Sequence, residues 1–191
     1  MEKTILTLAS ACALATSAHA GPSYNEIIGE WIHPDWGSAM IDGDGVALSL
    51  SYSPAEHFYL AASGNRANMN SVADVSLNPV FDISQYTVGI GGYFALISEK
   101  LHIAADVGGV WQDIEGFGND NGLYLSPHLR WSPQQVVEVR VGALFSDLDV
   151  NEDWAFYGRV FFEIFEAVDF TASYTGNDDY DTVSAGLRIR F

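Results

Sequence analysis

Five arginines give the first indication of chemistry. Of the eight lysines and arginines, Arg130, Arg140, Arg159, Arg188 and Arg190 fall in segments where apolar and polar residues alternate, always on the polar parity. Asp106, Glu138 and Glu163 share that parity, as do His102 and His128. Charges gathered on the enclosed face of such segments must find partners, because burying an unpaired one costs several kcal/mol. One reading is a structural ion-pair network that fills and closes an interior. The other is a charge-lined constriction that selects small solutes. Small residues on the same parity (Ala47, Ser49, Ser51, Gly89, Gly91, Thr171 and Ser173) would leave room for water and favour the second. The spacing puts Arg66 and Lys100 in connections.

A second group of charges is acidic. Asp42, Asp44, Asp120, Asp147, Asp149, Glu152, Asp153, Asp178, Asp179 and Asp181 lie in segments that read as turns and loops. Their hard oxygens suit Ca²⁺ or Mg²⁺, yet Asp42-Gly43-Asp44-Gly45 lacks the later ligands of an EF-hand loop, and solvated turn chemistry accounts for them better. No nucleophile, base and orienting group can be assembled from the spacing, so the residues indicate no catalytic site and require no cofactor.

The elements that must position these groups are β-strands. Residues 182–191 show it best: Val183, Ala185, Leu187, Ile189 and Phe191 are apolar, and Thr182, Ser184, Gly186, Arg188 and Arg190 are polar or small. A period of two over such a length is a strand with one apolar and one wet face, about long enough to cross a bilayer at a tilt. The same pattern recurs at residues 46–52, 58–64, 84–94, 101–112, 123–131, 137–145, 154–164 and 170–174, with a weaker first strand at 24–32 that ends at His33-Pro34-Asp35-Trp36-Gly37. Residues 41–45 and 65–79 read as loops, and Pro127 weakens one ladder bond in its strand. The expected fold is an all-β, antiparallel up-and-down barrel of ten strands, or of eight if the first two are misread. Acidic connections alternate with compact turns. Outward Tyr52, Phe94, Trp131 and Phe191 fall near one set of strand ends, and Trp111, Phe145, Phe156 and Tyr174 near the other, as two interfacial girdles require. A soluble β-sandwich would show no such sorting.

Residues 1–20 read as a secretory signal peptide, with Lys3 before an apolar run and an Ala18-His19-Ala20 cleavage site, leaving residues 21–191 as the barrel domain. The single cysteine, Cys12, lies in that segment; lipidation there is disfavoured by Ala9. A formal charge of −17 excludes a nucleic-acid surface. No run after Ala20 approaches the ~18 apolar residues of a membrane helix.

With its signal site, its terminal aromatic strand and glycine-bearing strands such as Tyr86-Thr87-Val88-Gly89-Ile90-Gly91-Gly92-Tyr93, the chain resembles the small outer-membrane β-barrel proteins of Gram-negative bacteria, the OmpX-type and OmpA transmembrane-domain group. The resemblance implies location in the cell outer membrane, a monomer, and contact with outer-membrane lipids and lipopolysaccharide, bridged by divalent cations at the acidic loops. It also implies delivery by periplasmic chaperones to the barrel-assembly machinery, with Leu187, Ile189 and Phe191 as the assembly signal. The best-known small members have eight strands, and the family is functionally mixed. The expected role is therefore a non-enzymatic structural or surface-interaction barrel with a charge-filled lumen, with a narrow porin-like channel as the alternative. A third reading is a hydrolase of omptin or lipid A deacylase type. For that, the only outer histidine is His33, near Asp35, and Ser126 and His128 lie on the inward face rather than the lipid face.

Overall fold

The computed structural model describes residues 22–37, 41–71, 81–97, 99–116, 118–148 and 153–191, the side chains of Ser71 and Asp153 excepted. The expected signal peptide lies outside them. Ten strands run in chain order: β1 (Glu26–Trp36), β2 (Ile41–Ala55), β3 (Phe58–Ser71), β4 (Phe81–Ile97), β5 (Leu101–Ile114), β6 (Gly118–Gln134), β7 (Val137–Ser146), β8 (Asp153–Phe165), β9 (Val168–Gly176) and β10 (Asp181–Arg190). Each pairs antiparallel with its sequence neighbour, and β1 closes onto β10 from Glu26↔Arg190 to Asp35↔Asp181. The fold is a closed up-and-down barrel.

Alternation sets inside from outside. Val46, Leu48 and Leu50 on β2, Val88 and Ile90 on β4, Phe156, Val160 and Phe162 on β8, and Leu187 and Ile189 on β10 are all exposed on the outer surface. So much outward apolar surface is unfavourable in water and favourable in lipid, where a closed ladder also leaves no backbone group unpaired. Tyr52, Phe94 and Trp131 are exposed towards one end, and Trp111, Phe156 and Tyr174 towards the other. The end where β1 begins and β10 finishes has tight connections, residues 56–57, 135–136 and 166–167 among them. That end is the periplasmic one by the usual asymmetry of such barrels. His57 (φ 69°) and Ala167 (φ 64°) take the left-handed conformation there.

The outer halves of the strands are longer than the alternation predicts. β1 continues through His33, Pro34 and Trp36, and Pro34 lies opposite Thr182 of β10. On its β2 side the ladder passes from Ile32↔Gly45 to Asp35↔Asp42 without a change of register. Pro127 is handled the same way, with β6–β7 pairs running from Leu125↔Phe145 to His128↔Gly142. A proline that lacks an N–H is thus spanned by its neighbours rather than ending the strand. Residues 41–45, expected as a loop, belong to β2; residues 65–71 belong to β3, which moves Arg66 into a strand where it pairs with Asp82. Asp120 sits in β6 and Asp181 in β10, and the acidic loop positions Asp149 and Glu152 lie outside the described residues. Inward Gly43 and Gly45 explain the misreading. A Cβ on Gly43 would stand 2.7 Å from the Met69 sulfur, and one on Gly45 2.7 Å from the Cα of Ala67. They are glycines of close strand approach, not of a turn.

That approach encloses an apolar cluster, Ile32, Ala67, Met69, Phe81 and Ile114, inside the outer half of the barrel. The interior is therefore not uniformly polar.

Candidate functional site: a charged plug beneath an outer chamber

Arg130 projects inward from β6 and is 1% exposed. Its Nε donates to Glu138 Oε1 at 2.9 Å, and one terminal nitrogen donates to the Ser23 carbonyl at 2.5 Å and to Glu26 Oε2 at 3.3 Å. Arg188, on β10, donates to Glu138 at 2.6 Å, Glu26 at 3.1 Å and Asp169 at 2.5 Å. Arg140 donates to the other Glu26 oxygen at 2.7 Å. Arg190 reaches Glu163 and Asp169 at 2.5 and 3.1 Å. Above them, Arg159 donates to Glu30 at 2.8 Å, and Ser184 donates to the second Glu30 oxygen at 2.9 Å. All five inward arginines are bound to carboxylates. Aromatic rings fill the remaining space: the Arg188 guanidinium lies 3.6 Å from the Phe161 ring centre, and that of Arg130 4.2 Å from Tyr24.

Three expected members stand apart. His102 makes no hydrogen bond through either ring nitrogen; it stacks on Tyr93 at 5.4 Å and 9°, and Tyr93 stacks on Tyr24 at 3.9 Å. His128 and Asp106 form a separate polar group, with ring nitrogen and carboxylate 3.6 Å apart. Asp106 accepts from Tyr59 at 2.9 Å, and His128 Nδ1 lies 3.1 Å from the Ser126 carbonyl. The alternation readings missed Glu26, Glu30 and Asp169. Glu26 and Glu30 alternate with Ile27 and Trp31, a usable signal, but it was masked by Ile28 and Ile32, which also point inward and are 2% and 8% exposed. Asp169 falls just before the strand read at residues 170–174, whereas β9 begins at Val168.

The small inward residues divide. Tyr59 occupies the space a side chain on Gly91 would need, and Tyr124 does so at Gly89, so neither glycine leaves room for water. Thr171 is fully buried. Ala47, Ser49, Ser51 and Ser173, in contrast, line open space. Two cavities of about 270 and 290 Å³ lie above the plug and share Glu30, Ala47, Asn65, Leu144, Arg159 and Thr175 in their walls. At the level of Glu138, Asp169 and Arg188 lies a cavity of about 20 Å³, close to a single water. The lumen is an outward chamber with a filled periplasmic floor.

Among the described residues the expected hydrolase constellations are not assembled. His33 sits 3.0 Å from Asp44, not Asp35, and stacks beside the outward-facing Trp31, away from the lumen. Among the described residues no three His, Cys, Asp or Glu side chains converge on a metal-sized site.

No known family profile matches the chain, and no curated protein matches it. Solved structures do. A KdgM porin in complex with disordered oligogalacturonate is 14% identical, with a TM-score of 0.53 over 86% of this chain and 99% of that one. The KdgM porin alone gives 0.51 at the same identity and coverage. The outer membrane protein OprG from Pseudomonas aeruginosa is 11% identical, with a TM-score of 0.45 over 90% of this chain and 98% of that one. What is shared at these identities is the fold. The chain is a ten-stranded barrel with the fold of the small outer-membrane β-barrel proteins.

Proposed function

We propose that the protein is a non-enzymatic, monomeric outer-membrane barrel, sealed towards the periplasm and open as a chamber towards the exterior. Its role on this reading is structural or surface-interacting rather than conductive. One observation carries it: Glu26, Arg130, Glu138, Asp169 and Arg188 are each at most 5% exposed and interlock across the periplasmic half of the lumen. A buried network with every carboxylate and guanidinium engaged is costly to open, because freeing either partner leaves an unpaired buried charge. The exposed acids Asp44, Asp178, Asp179 and Asp181 would meet lipopolysaccharide phosphates through bridging divalent cations. Leu187, Ile189 and Phe191, on the strand that closes the barrel, would serve as the assembly signal. Residues 1–20 would direct export.

Single-channel recording of the refolded chain in a planar bilayer tests the reading. A silent bilayer is expected; discrete steps altered by Arg188→Ala would overturn it. One observation supports the narrow-channel alternative: the two cavities reach from Asn177 and Tyr180 at the outer end to Arg130, so the plug alone separates them from the periplasm. The KdgM likeness concerns fold and adds no substrate, since every inward arginine here already holds a carboxylate.

A further inference from the structure

The floor of the chamber has two halves of different chemistry. Towards β6–β10 it is ionic, with Arg130, Arg140 and Arg188 around Glu26, Glu138 and Asp169. Towards β3–β5 it is aromatic, and its central ring, Tyr24, belongs to none of the strands. The ladders of β1 start at Glu26, opposite Arg190 and Ser51, so residues 22–25 precede all pairing between strands. They are nevertheless seated in the lumen. Tyr24 is 5% exposed, stacked on Tyr93, with its ring centre 5.0 Å from Tyr59 and 5.9 Å from His102. Ser51 donates through Oγ to the Tyr24 carbonyl at 2.6 Å, and the Ser53 amide donates to Asn25 Oδ1 at 2.7 Å. Ser51, Tyr59 and Arg130, all in contact with Tyr24, also line the 290 Å³ cavity. Tyr24 therefore stands directly behind the floor of that cavity.

The two halves differ in what opening them costs. Parting the ionic half leaves buried charges without partners. Residues 22–25 carry no charge, so withdrawing them parts no ion pair. Arg130 gives up the Ser23 carbonyl and the face of Tyr24 but keeps Glu26 and Glu138. Withdrawal also admits water to three buried polar atoms that have no hydrogen-bond partner, Tyr24 Oη and both ring nitrogens of His102. Leaving such atoms unmet costs free energy in the closed barrel. What opposes withdrawal is ring burial and stacking, without the ladder that holds every strand.

We propose that residues 22–25 are a stopper, seated by Tyr24 in the periplasmic mouth of the lumen, and that withdrawing it turns the outer chamber into a passage for ions and small solutes. The proposal rests on the sealed reading for its resting state and goes beyond it in naming the half of the floor that opens.

The test is single-channel recording of the full refolded chain in a planar bilayer, wild type against Tyr24→Ala, Tyr24→Phe and Phe161→Ala. Tyr24→Ala should pass from silence to discrete steps. Tyr24→Phe should stay silent, because the ring makes the seal and its hydroxyl has no partner to lose. Phe161→Ala removes a buried ring from the ionic half, where Arg188 and Arg140 cover it, and should also stay silent. Heat-modifiable gel migration confirms that each variant is folded. A second variant reads the same contact within one open molecule. Tyr24→Cys, in a Cys12→Ala background, should conduct, fall silent when benzyl methanethiosulfonate attaches a ring at position 24, and conduct again after reduction. Steps in Tyr24→Phe, equal steps in Phe161→Ala, or steps in Tyr24→Cys that the reagent leaves unaltered would overturn the proposal. Steps in the wild type overturn the sealed reading; a wild type and a Tyr24→Ala that are both silent overturn the stopper alone.

Discussion

The two ends of the lumen solve the same problem in opposite ways. At the periplasmic end, charges are numerous and matched in sign: Glu26 alone meets Arg130, Arg140 and Arg188. At the outer end, the polar side chains are mostly small and uncharged, Asn65, Gln85, Ser173 and Thr175 among them, and an apolar wall runs along one side. Both ends belong to strands that alternate regularly. Alternation therefore decides which side chains point inward, while their size and charge pairing decide whether the space closes or stays open.

The contrast can be broken most forcefully from the floor. Glu26→Ala leaves three guanidiniums short of a carboxylate in a nearly dry site, and should cost about 3–5 kcal/mol of barrel stability, read from urea unfolding in liposomes. A smaller effect is expected at the boundary between the regions. Arg159→Met and Glu30→Met should each destabilise, and the double variant by less than their sum, giving a coupling of about 1–3 kcal/mol in a double-mutant cycle. On the outer collar, Arg66 pairs with Asp82, the guanidinium largely exposed to solvent. Arg66→Ala should leave the unfolding midpoint unchanged within error, as exposed ion pairs usually do. Smallest, and opposite in sign, is Ala167→Gly in the β8–β9 turn. Releasing a non-glycine residue from φ 64° should raise stability by at most about 1 kcal/mol, partly offset by greater freedom in the unfolded chain.

Much of this was legible in the residues. The outward faces of β2, β4, β6, β8 and β10 follow from alternation because lipid tolerates no exception across the apolar belt. The same rule loosens outside the belt, which is why Asp42, Asp44 and the stretch from Asn65 to Ser71 read as loops although their backbones continue the ladders. In β1 the rule misleads for another reason. Ile28 and Ile32 are apolar and inward, packed on the plug and the chamber wall, so Glu26 and Glu30 lost the contrast that marks a lumen position. The five arginines, and with them Glu138 and Glu163, read as inward, but Glu26, Glu30 and Asp169 did not. Which carboxylate Arg130 meets depends on strands over a hundred positions apart in sequence, and that is set by closure and stagger, not by local pattern.

That separation bears on how the barrel is made. Arg188 arrives on the last strand, and its carboxylates wait on the first, seventh and ninth. Until β10 docks against β1, Glu26 lacks Arg188, whereas Asp169 meets it already within the β9–β10 pair. Contacts of such long sequence span form late, because chain closure must precede them. Sealing of the ring and neutralisation of its interior therefore coincide in one final step, so an unfinished barrel still carries the mark of being unfinished in its own uncompensated charge.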